Sequence, residues 1–286
     1  MEHGTAAASD RDRKPFLKWT GGKQWLSRRL ASALSWDSKL GTYHEPFLGG
    51  GSLFFALQPS RAILSDLNSD LIATYIAVRD SVERVIEALE VLPNDLATFE
   101  AVRGSAPGDR VSRSARLLYL NRTAFNGIYR VNRNGQFNVP FGYYQNRVIC
   151  HPERLRECSR ALKTATLRTA HFSDASRQVS ASDFVYFDPP YVTGHNNNGF
   201  IKYNRRLFDW RAQEELAAEA HRLRELGAQV VVSNAAHDKV LELYEGFNVI
   251  IMSRKSLIGG GIRYRGIVQE AVISSHSLDL GSLTDG

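Results

Sequence analysis

The 286-residue sequence contains only two cysteines, and the spacing of Cys150 and Cys158 matches neither a metal-binding motif nor a disulfide framework. The histidines are scattered and none pairs with a cysteine, so we predict no metal and expect reduced cysteines in a cytoplasmic protein. No apolar run approaches the roughly 18 residues that a membrane span needs. Residues 1–14 are polar and lack the apolar core of a signal peptide, so we interpret them as a disordered tail.

Lysine is absent between Arg103 and Arg160, where eleven arginines face three acidic residues. That segment carries a net charge of +8, which leaves −2 for the rest of a chain whose total is +6. Solvated surfaces usually mix both signs, whereas a block of arginines interleaved with aromatic residues suits the phosphates and bases of nucleic acid. An ordinary basic helical face is the alternative interpretation.

The tetrapeptide Asp188-Pro189-Pro190-Tyr191 follows an apolar run, Phe184–Phe187, that is typical of a buried parallel strand. The Asp188 carboxylate and the Pro189 carbonyl would each accept one hydrogen of an exocyclic amine, and Tyr191 would stack on a base that has left the double helix. These groups suit alkylation of the adenine amine, a poor nucleophile because its lone pair is delocalised into the ring. The alternative is a Pro-Pro turn in which the aspartate forms the turn and the tyrosine packs.

A glycine-rich turn lies upstream, where a strand over residues 42–48 leads into Gly49–Gly51 and then a helix over Leu53–Leu57. Glycines at such a turn let the backbone approach a ligand closely. Asp66 ends the next predicted strand, 17 residues after Gly49, where a nucleoside ribose commonly meets a carboxylate. The sequence has no G-x-G-x-x-G motif and no Lys-Ser/Thr after the glycines, which disfavours a dinucleotide or a nucleoside triphosphate. Asp66 is also compatible with merely opening the following helix, and Glu45 with a strand-end charge.

Strand and helix patterns alternate from Tyr43 to Arg79 and resume at Leu167. The predicted strands and helices after residue 60 are Ala62–Ser65, Asn68–Arg79, Ser112–Leu120, Pro152–Thr164, Trp210–Leu226, Gln229–Ser233, His237–Tyr244 and an antiparallel pair, Asn248–Ser253 with Ile267–Ser274. A β-hairpin, Tyr129–Arg133 with Gln136–Val139, is predicted around the two-residue turn signal Asn134-Gly135. We therefore predict an α/β fold: an open, mostly parallel, Rossmann-like sheet with an antiparallel final strand. Residues 81–160 insert a smaller, mainly helical domain that contains the hairpin.

Five motifs, in order along the chain, resemble those of Dam-type (D12 class, alpha group) DNA adenine-N6 methyltransferases. They are Phe16–Lys23, Glu45–Ser52, Ser65–Asp70, Leu120–Gly127 and Phe137–Gly142. The resemblance covers the chain from about Pro15 to Ser274 and extends to the tetrapeptide at Asp188. It implies transfer of a methyl group from S-adenosylmethionine to a flipped-out adenine in double-stranded DNA, with GATC as the expected target. Residues 15–80 and 161–276 would form the cofactor-binding catalytic domain, and residues 81–160 the target-recognition domain.

The resemblance also implies roles for individual residues. Trp19 and Lys23 would reach the methionine end of the cofactor, Asp66 its ribose, and Phe172 its adenine. The remaining predicted cofactor residues are Glu45, Phe47, Gly49, Gly51 and Asp188, and the predicted catalytic residues are Asp188, Pro189, Pro190 and Tyr191. Trp19 is equally compatible with anchoring the N-terminal arm in the core.

The predicted DNA-binding residues are Lys18, Arg122, Phe125, Asn126, Ile128, Arg130, Asn138, Pro140 and Tyr144. By resemblance, Lys18 and Arg130 would each contact a guanine, and Ile128 with Pro140 would meet the thymine methyl group. Asn126, with Phe125 beside it, matches the position that fills the gap left by the flipped base, and Tyr144 matches a phosphate contact. Arg130 as one more phosphate contact is the alternative.

Two stretches depart from the family pattern. His195–Gly199 lacks the usual serine-threonine pattern, although Phe200, Tyr203 and Phe208 recover familiar spacings. Thr123-Ala124 stands where the family often has aromatic or glycine residues. The first departure leaves the contacts to the target base open, and the second leaves the fine sequence readout open.

Other functions remain open at this stage. An RNA adenine or a cytosine-N4 methyltransferase would share the same sheet, but aspartate rather than serine at position 188 and the Dam-like recognition segment argue against both. A DNA-binding regulator without catalysis would be expected to have lost Asp66 or Asp188. The sequence does not decide between a solitary enzyme, a phage enzyme and one paired genetically with a restriction endonuclease.

Overall fold

The computed structural model describes residues 14–19, 22–132, 134–191, 208–255 and 267–278. The expected tail up to residue 13, the stretch His195–Gly199, Phe200 and Tyr203, and Arg133 of the expected hairpin lie outside the described residues. The chain divides into two compact units: residues 1–31, 49–58 and 66–169 in the first, and residues 32–48, 59–65 and 170–286 in the second. None of the described helices is long and apolar enough to cross a membrane.

Seven strands among the described residues form one sheet. They are β1 (Tyr43–Glu45), β2 (Ala62–Asp66), β3 (Ala165–Thr169), β4 (Phe184–Phe187), β5 (Gln229–Ala235), β6 (Asn248–Lys255) and β7 (Ile267–Ser274), in the order β3-β2-β1-β4-β5-β7-β6. β1 pairs in parallel with β2 and β4, β4 pairs in parallel with β5, and β7 runs antiparallel to β5 and β6. The predicted open, mostly parallel sheet with an antiparallel final strand is therefore confirmed.

The core of the second unit lies around β4 and β5, whose central residues are apolar and fully buried. The helices of this unit are α8 (Phe172–Ala175), α9 (Trp210–Leu226) and α10 (Asp238–Glu242). α9 begins where the Asp209 carboxylate accepts a hydrogen bond from the N–H of Ala212, and it ends at Gly227 with a left-handed φ of 96°. Its bounds match the prediction. α10 is shorter than predicted.

The first unit is mainly helical. Its helices are α1 (Gln24–Ala33, whose last two residues cluster with the second unit), α2 (Ser52–Leu57), α3 (Ser69–Asp80), α4 (Val82–Glu90), α5 (Leu96–Gly104), α6 (Arg110–Thr123) and α7 (Pro152–Leu162). α6 is central, since it contacts α3, α4 and α5, while α7 packs on α3 and α4. Helix α6 begins two residues earlier than predicted because Asp109 caps it and accepts a hydrogen bond from the N–H of Ser112.

Among the described residues of the predicted hairpin, Val131 and Phe137 form an isolated antiparallel bridge. The N–H of Asn132 donates to the Gln136 carbonyl, so the hydrogen bond that closes the loop starts at Asn132 and does not match the two-residue turn that the sequence predicted. The Asn132 side chain accepts from the backbone N–H groups of Asn134 and Gln136. Gly135 has a left-handed φ of 75°, which a glycine adopts without strain. The turn prediction was therefore wrong because the Asn132 side chain organises the loop.

Candidate active site

Three carboxylates lie at the carboxyl ends of three adjacent parallel strands. Glu45 ends β1, Asp66 ends β2, and Asp188 directly follows β4. Ligands of open α/β sheets bind beyond these strand ends. The sheet topology thus gives all three acids the positions that the sequence predicted for them.

Asp66 holds the glycine-rich turn. One carboxylate oxygen accepts a hydrogen bond from the N–H of Gly49 at 3.0 Å, and the other accepts from the N–H of Asn68 at 2.9 Å. Burial raises the pKa of Asp66, and these backbone hydrogen bonds oppose that shift. The cap of α3 is Asn68, whose side chain accepts from two N–H groups of the first turn. Asp66 is therefore not the residue that opens α3.

Trp19 packs directly against the same turn. A Cβ atom on Gly49 would lie 2.9 Å from Cδ1 of Trp19, and Gly49 has a left-handed φ of 45°, so this position favours glycine. A Cβ atom on Gly50 would lie 3.2 Å from Cβ of Trp19, which is a tight contact. The indole also stacks on Tyr129 with ring centroids 5.3 Å apart. Lys23 is buried just before α1. Tyr129 was not predicted, because nothing in the local sequence indicates a partner 110 residues from Trp19.

The Asp188 carboxylate is anchored from the neighbouring strand. The hydroxyl of Ser233 donates to it at 2.9 Å, and the Tyr186 hydroxyl lies 3.0 Å from the same serine oxygen. The register of β4 on β5 pairs Phe187 with Val232 and so brings Ser233 beside Asp188. Within the tetrapeptide, Pro189 is buried while Asp188 and Tyr191 are half-buried.

Negatively charged side chains of the second unit lie near Asp188, beyond the end of β4. The pKa of Tyr186 lies well above its ordinary value, chiefly because the side chain is buried. The Asp188 carboxylate is the next cause, and Glu45 and Glu270 add to it. Burial, then the Glu45 carboxylate, likewise raises the pKa of Tyr43, whose hydroxyl donates to Glu45 at 2.9 Å. Glu45 and Glu270 are themselves buried. Three carboxylates in a common low-dielectric region make a site that favours a cation.

Aromatic rings lie beside this region. Phe47 is half-buried and stacks on Phe172 with ring centroids 5.4 Å apart, and Phe208 contacts Phe47 edge-on. Phe172 begins α8 and is only 2% exposed, so Phe47 is the more accessible of the two predicted cofactor residues.

Lys18 is fixed to the turn Phe125–Gly127 by a buried amide. The side chain of Asn121 accepts from the N–H of Lys18 at 3.1 Å and donates to the carbonyls of Lys18 and Gly127 at 2.7 and 3.0 Å. Gly127 has a left-handed φ of 64°, and a Cβ there would lie 2.9 Å from Cδ of Lys18. The sequence placed Asn121 in a motif but gave it no role.

The turn itself presents Phe125 and Asn126 to solvent, and the Phe125 ring is 48% exposed. Asn126 adopts a left-handed φ of 55°, and its N–H donates to the hydroxyl of Tyr144 at 2.7 Å. The N–H of Phe125 donates to the carbonyl of Pro140 at 2.9 Å. Four predicted DNA-binding residues thus lie together around one short turn.

Arg130 and Asn138 face each other across the hairpin. Nε of Arg130 donates to the Asn138 side chain at 2.8 Å, and the N–H of Asn138 donates to the Arg130 carbonyl at 3.1 Å. These bonds fix the direction of the half-buried Arg130 side chain. Ile128, between the turn and the hairpin, is half-buried.

The first unit therefore contains all the predicted DNA-binding residues together with Trp19, Lys23, the glycine-rich turn and Asp66, and the second contains Glu45, Phe47, Phe172 and the tetrapeptide at Asp188. Within the described part of the chain, no group of three or more histidine, cysteine or acidic side chains is arranged to hold a metal ion.

Comparison with known proteins adds an independent result. Residues 19–258 match the family model of D12 class N6 adenine-specific DNA methyltransferases. Type II methyltransferase M1.LlaDCHI of Lactococcus lactis subsp. cremoris is 34% identical over 273 residues, covering 92% of this chain and 95% of that protein. Type II methyltransferase M.MjaIII of Methanocaldococcus jannaschii is 34% identical over 285 residues, covering 91% and 99%. The DNA adenine methylase of Salmonella typhi is 32% identical over 260 residues, covering 87% and 91%.

Proposed function

Because the chain belongs to the family of D12 class N6 adenine-specific DNA methyltransferases, we propose that it transfers a methyl group from S-adenosylmethionine to a flipped-out adenine in double-stranded DNA. The observation that carries this proposal is the Asp188 carboxylate at the end of β4, held by Ser233 and followed by two prolines and a tyrosine. A regulator without catalysis would have no need to keep this anchored acid.

The residues present fit S-adenosylmethionine. The glycines of the turn Gly49–Gly51 carry no side chains that would obstruct a ligand. The half-buried Asp66 carboxylate accepts two backbone hydrogen bonds there, and its remaining lone pairs could accept hydrogen bonds from ribose hydroxyls. Trp19, Lys23, Phe47 and Phe172 would complete the binding of its methionine and adenine ends. When bound, the cofactor supplies a methyl group activated on positively charged sulfur, and the buried carboxylates around Asp188 suit that charge.

Asp188 and Pro189 would prepare the target amine. The carboxylate and the Pro189 carbonyl would each accept one N–H of the adenine amine, so that its lone pair turns out of the ring plane toward the methyl group. Positive charge would develop on that nitrogen as the N–CH3 bond replaces the S–CH3 bond, the Asp188 carboxylate would stabilise this charge, and the amine would then release one proton to solvent. Tyr191 would stack on the extruded base. Pro189 and Pro190 have no N–H that would compete for the carboxylate.

The segment over residues 81–160 would act as the target-recognition domain, with residues 15–80 and 161–276 as the catalytic domain. Lys18 and Arg130 would read guanines, Ile128 and Pro140 the thymine methyl group, and Arg122, Asn138 and Tyr144 would support backbone contacts. Phe125 and Asn126 would fill the space that the flipped adenine leaves. GATC is the target that this set of groups favours.

A methyl-transfer assay tests the chemistry. The protein should transfer tritiated methyl groups from S-adenosylmethionine to duplex DNA and not to RNA. Asp188→Ala should reduce the single-turnover rate to below about a tenth of wild type, because one acceptor that stabilises the developing charge is lost. Asp238→Ala, which removes an exposed acid from α10, is the matched control and should leave the rate unchanged. An Asp188→Ala protein that remains active above that level would contradict the proposed chemistry.

Sequencing of methylated DNA tests the target. Expression of the chain in a host free of adenine methylation should modify adenines within GATC. A different main motif would refute the proposed readout and leave the proposed chemistry standing.

A further inference from the structure

Three arginines and a histidine gather at the start of α7, and we call them the basic cluster: Arg122, Arg147, His151 and Arg154. Arg122, His151 and Arg154 line a small pocket whose other lining residues are all apolar. All four side chains are half-buried. The cluster lies within the first unit.

The charge of the cluster is not compensated within the described part of the chain. None of its members forms an ion pair there, whereas Arg156 on the same helix pairs with Glu83 and Glu153. The Arg122 guanidinium makes a long contact, 3.5 Å, with the carbonyl of Phe16. Arg147 donates to the carbonyl of Arg122 at 3.0 Å.

Mutual repulsion within the cluster opposes folding. Burial lowers the pKa of Arg122, and the neighbouring arginines 154 and 147 lower it further. Burial, then Arg122 and Arg154, also lowers the pKa of His151. No acidic group is among the causes that shift the pKa of Arg122 or His151. A cost of this kind is kept where function requires it.

The amino terminus of α7 adds to the same field. His151 is its N-cap residue but its side chain accepts no backbone hydrogen bond, and Pro152 follows at the first helical positions. The 11-residue helix therefore directs its positive end and uncapped N–H groups toward the cluster.

The cluster is continuous with the turn that presents Phe125 and Asn126. The guanidinium of Arg147 lies 4.0 Å above the ring of Tyr144, and the Tyr144 hydroxyl accepts from the N–H of Asn126. A line of polar and cationic groups therefore runs from Asn126 through Tyr144 and Arg147 to Arg122 and Arg154.

We propose that the basic cluster binds backbone phosphates of duplex DNA on one side of the target adenine; this inference rests on the proposed function. Its ligand is the phosphodiester, because the cationic groups form a line and not a closed cage around one small anion. The contact is independent of base sequence and adds to affinity for any duplex.

Binding at a series of salt concentrations tests the inference. Fluorescence anisotropy would measure the affinity of the full chain for two duplexes of equal length, one with GATC and one without. Arg154→Gln should reduce the slope of log affinity against log salt by about 0.9 for both duplexes, the contribution of one phosphate contact. A fourfold rise in salt should then weaken wild type about 3.5-fold more than the variant. Arg211→Gln, an exposed arginine on α9, makes the same charge change and should leave the slope unchanged.

Each contrary outcome is informative. An unchanged slope for Arg154→Gln, or an equal loss in Arg211→Gln, would overturn the inference. The inference would also be overturned by a second pattern of results. In that pattern, inorganic phosphate at matched ionic strength raises the thermal midpoint of wild type but not of Arg154→Gln, while the salt slope of DNA binding is the same in both proteins. Arg154→Gln should melt no lower than wild type since it relieves repulsion, and Arg147→Gln serves as a second variant. If DNA binding by the wild-type protein depends on the basic cluster but the protein transfers no methyl group, the result would contradict only the proposed function.

Discussion

Replacing Asp66 separates its two proposed tasks, holding the glycine-rich turn and binding the cofactor ribose. Asp66→Ala removes the acceptor for the N–H groups of Gly49 and Asn68, at 3.0 and 2.9 Å. Hydrogen bonds to a charged group contribute about 1.5–3 kcal/mol each, so the gross loss is roughly 3–6 kcal/mol. Burial of the carboxylate, which raises its pKa, offsets part of this. We expect the free energy of unfolding to fall by about 2–4 kcal/mol.

The Asp66→Ala substitution should weaken binding of the cofactor more than binding of DNA. Loss of two ribose hydrogen bonds, at least about 3 kcal/mol together, weakens binding of S-adenosylmethionine by about 100-fold. Calorimetry would measure this, with Asp70→Ala as control because it removes an exposed acid from the first turn of α3. Duplex binding without cofactor should change little. Normal cofactor affinity in a folded Asp66→Ala protein would refute the ribose role.

The affinity for S-adenosylmethionine should also depend on pH through Asp66. Its pKa in the folded protein lies above the ordinary 3.8, because burial disfavours the charged form. Since the ionised carboxylate is the better acceptor, affinity should fall as the pH drops through that raised pKa and should recover above it. The same shift makes the ionised acid unfavourable for folding, so its contribution to stability declines as the pH rises from 3.8 through the folded pKa.

Three further substitutions test other parts of the proposal. Ser233→Ala should slow single-turnover methyl transfer about tenfold, because it removes a hydrogen bond of about 1.4 kcal/mol that orients Asp188, and normal turnover would exclude that positioning role. Arg130→Ala should relax specificity at one base pair by about 1–3 kcal/mol, measured on duplexes altered at each target position; uniform weakening would make it a phosphate contact. Tyr144→Phe should weaken binding of all duplexes alike, and a loss confined to GATC would contradict this.

The sequence predicted those elements whose evidence is local. β4 occupies Phe184–Phe187 and α9 occupies Trp210–Leu226, both as predicted. The ends of each element are marked by local sequence signals, an apolar run in β4 and helix-capping residues in α9. The strand-end positions of Glu45, Asp66 and Asp188 were also predicted, since a motif places each one there, whereas their roles in a site stay predictions. The hairpin turn was predicted wrongly because its geometry depends on the Asn132 side chain and not on the Asn134-Gly135 signal alone.

Contacts that join distant parts of the chain could not be predicted from pattern. Ser233 reaches Asp188 across 45 residues, and Asn121 reaches Lys18 across 103. Both contacts depend on the register or packing of elements that are not adjacent in sequence. Hydrophobic periodicity identifies which face of an element is buried, but it does not identify the opposite residue.

Buried polar side chains therefore do what hydrophobic packing cannot. A buried donor or acceptor without a partner is costly, so Asn121 is satisfied only when Lys18 and Gly127 are both in place. Apolar contacts tolerate small shifts, whereas these three hydrogen bonds fix the backbone of Lys18 relative to the turn at Asn126. A lysine proposed to read a guanine and a turn proposed to replace the flipped adenine must keep a constant separation along the duplex. The buried amide provides that constancy within the first unit.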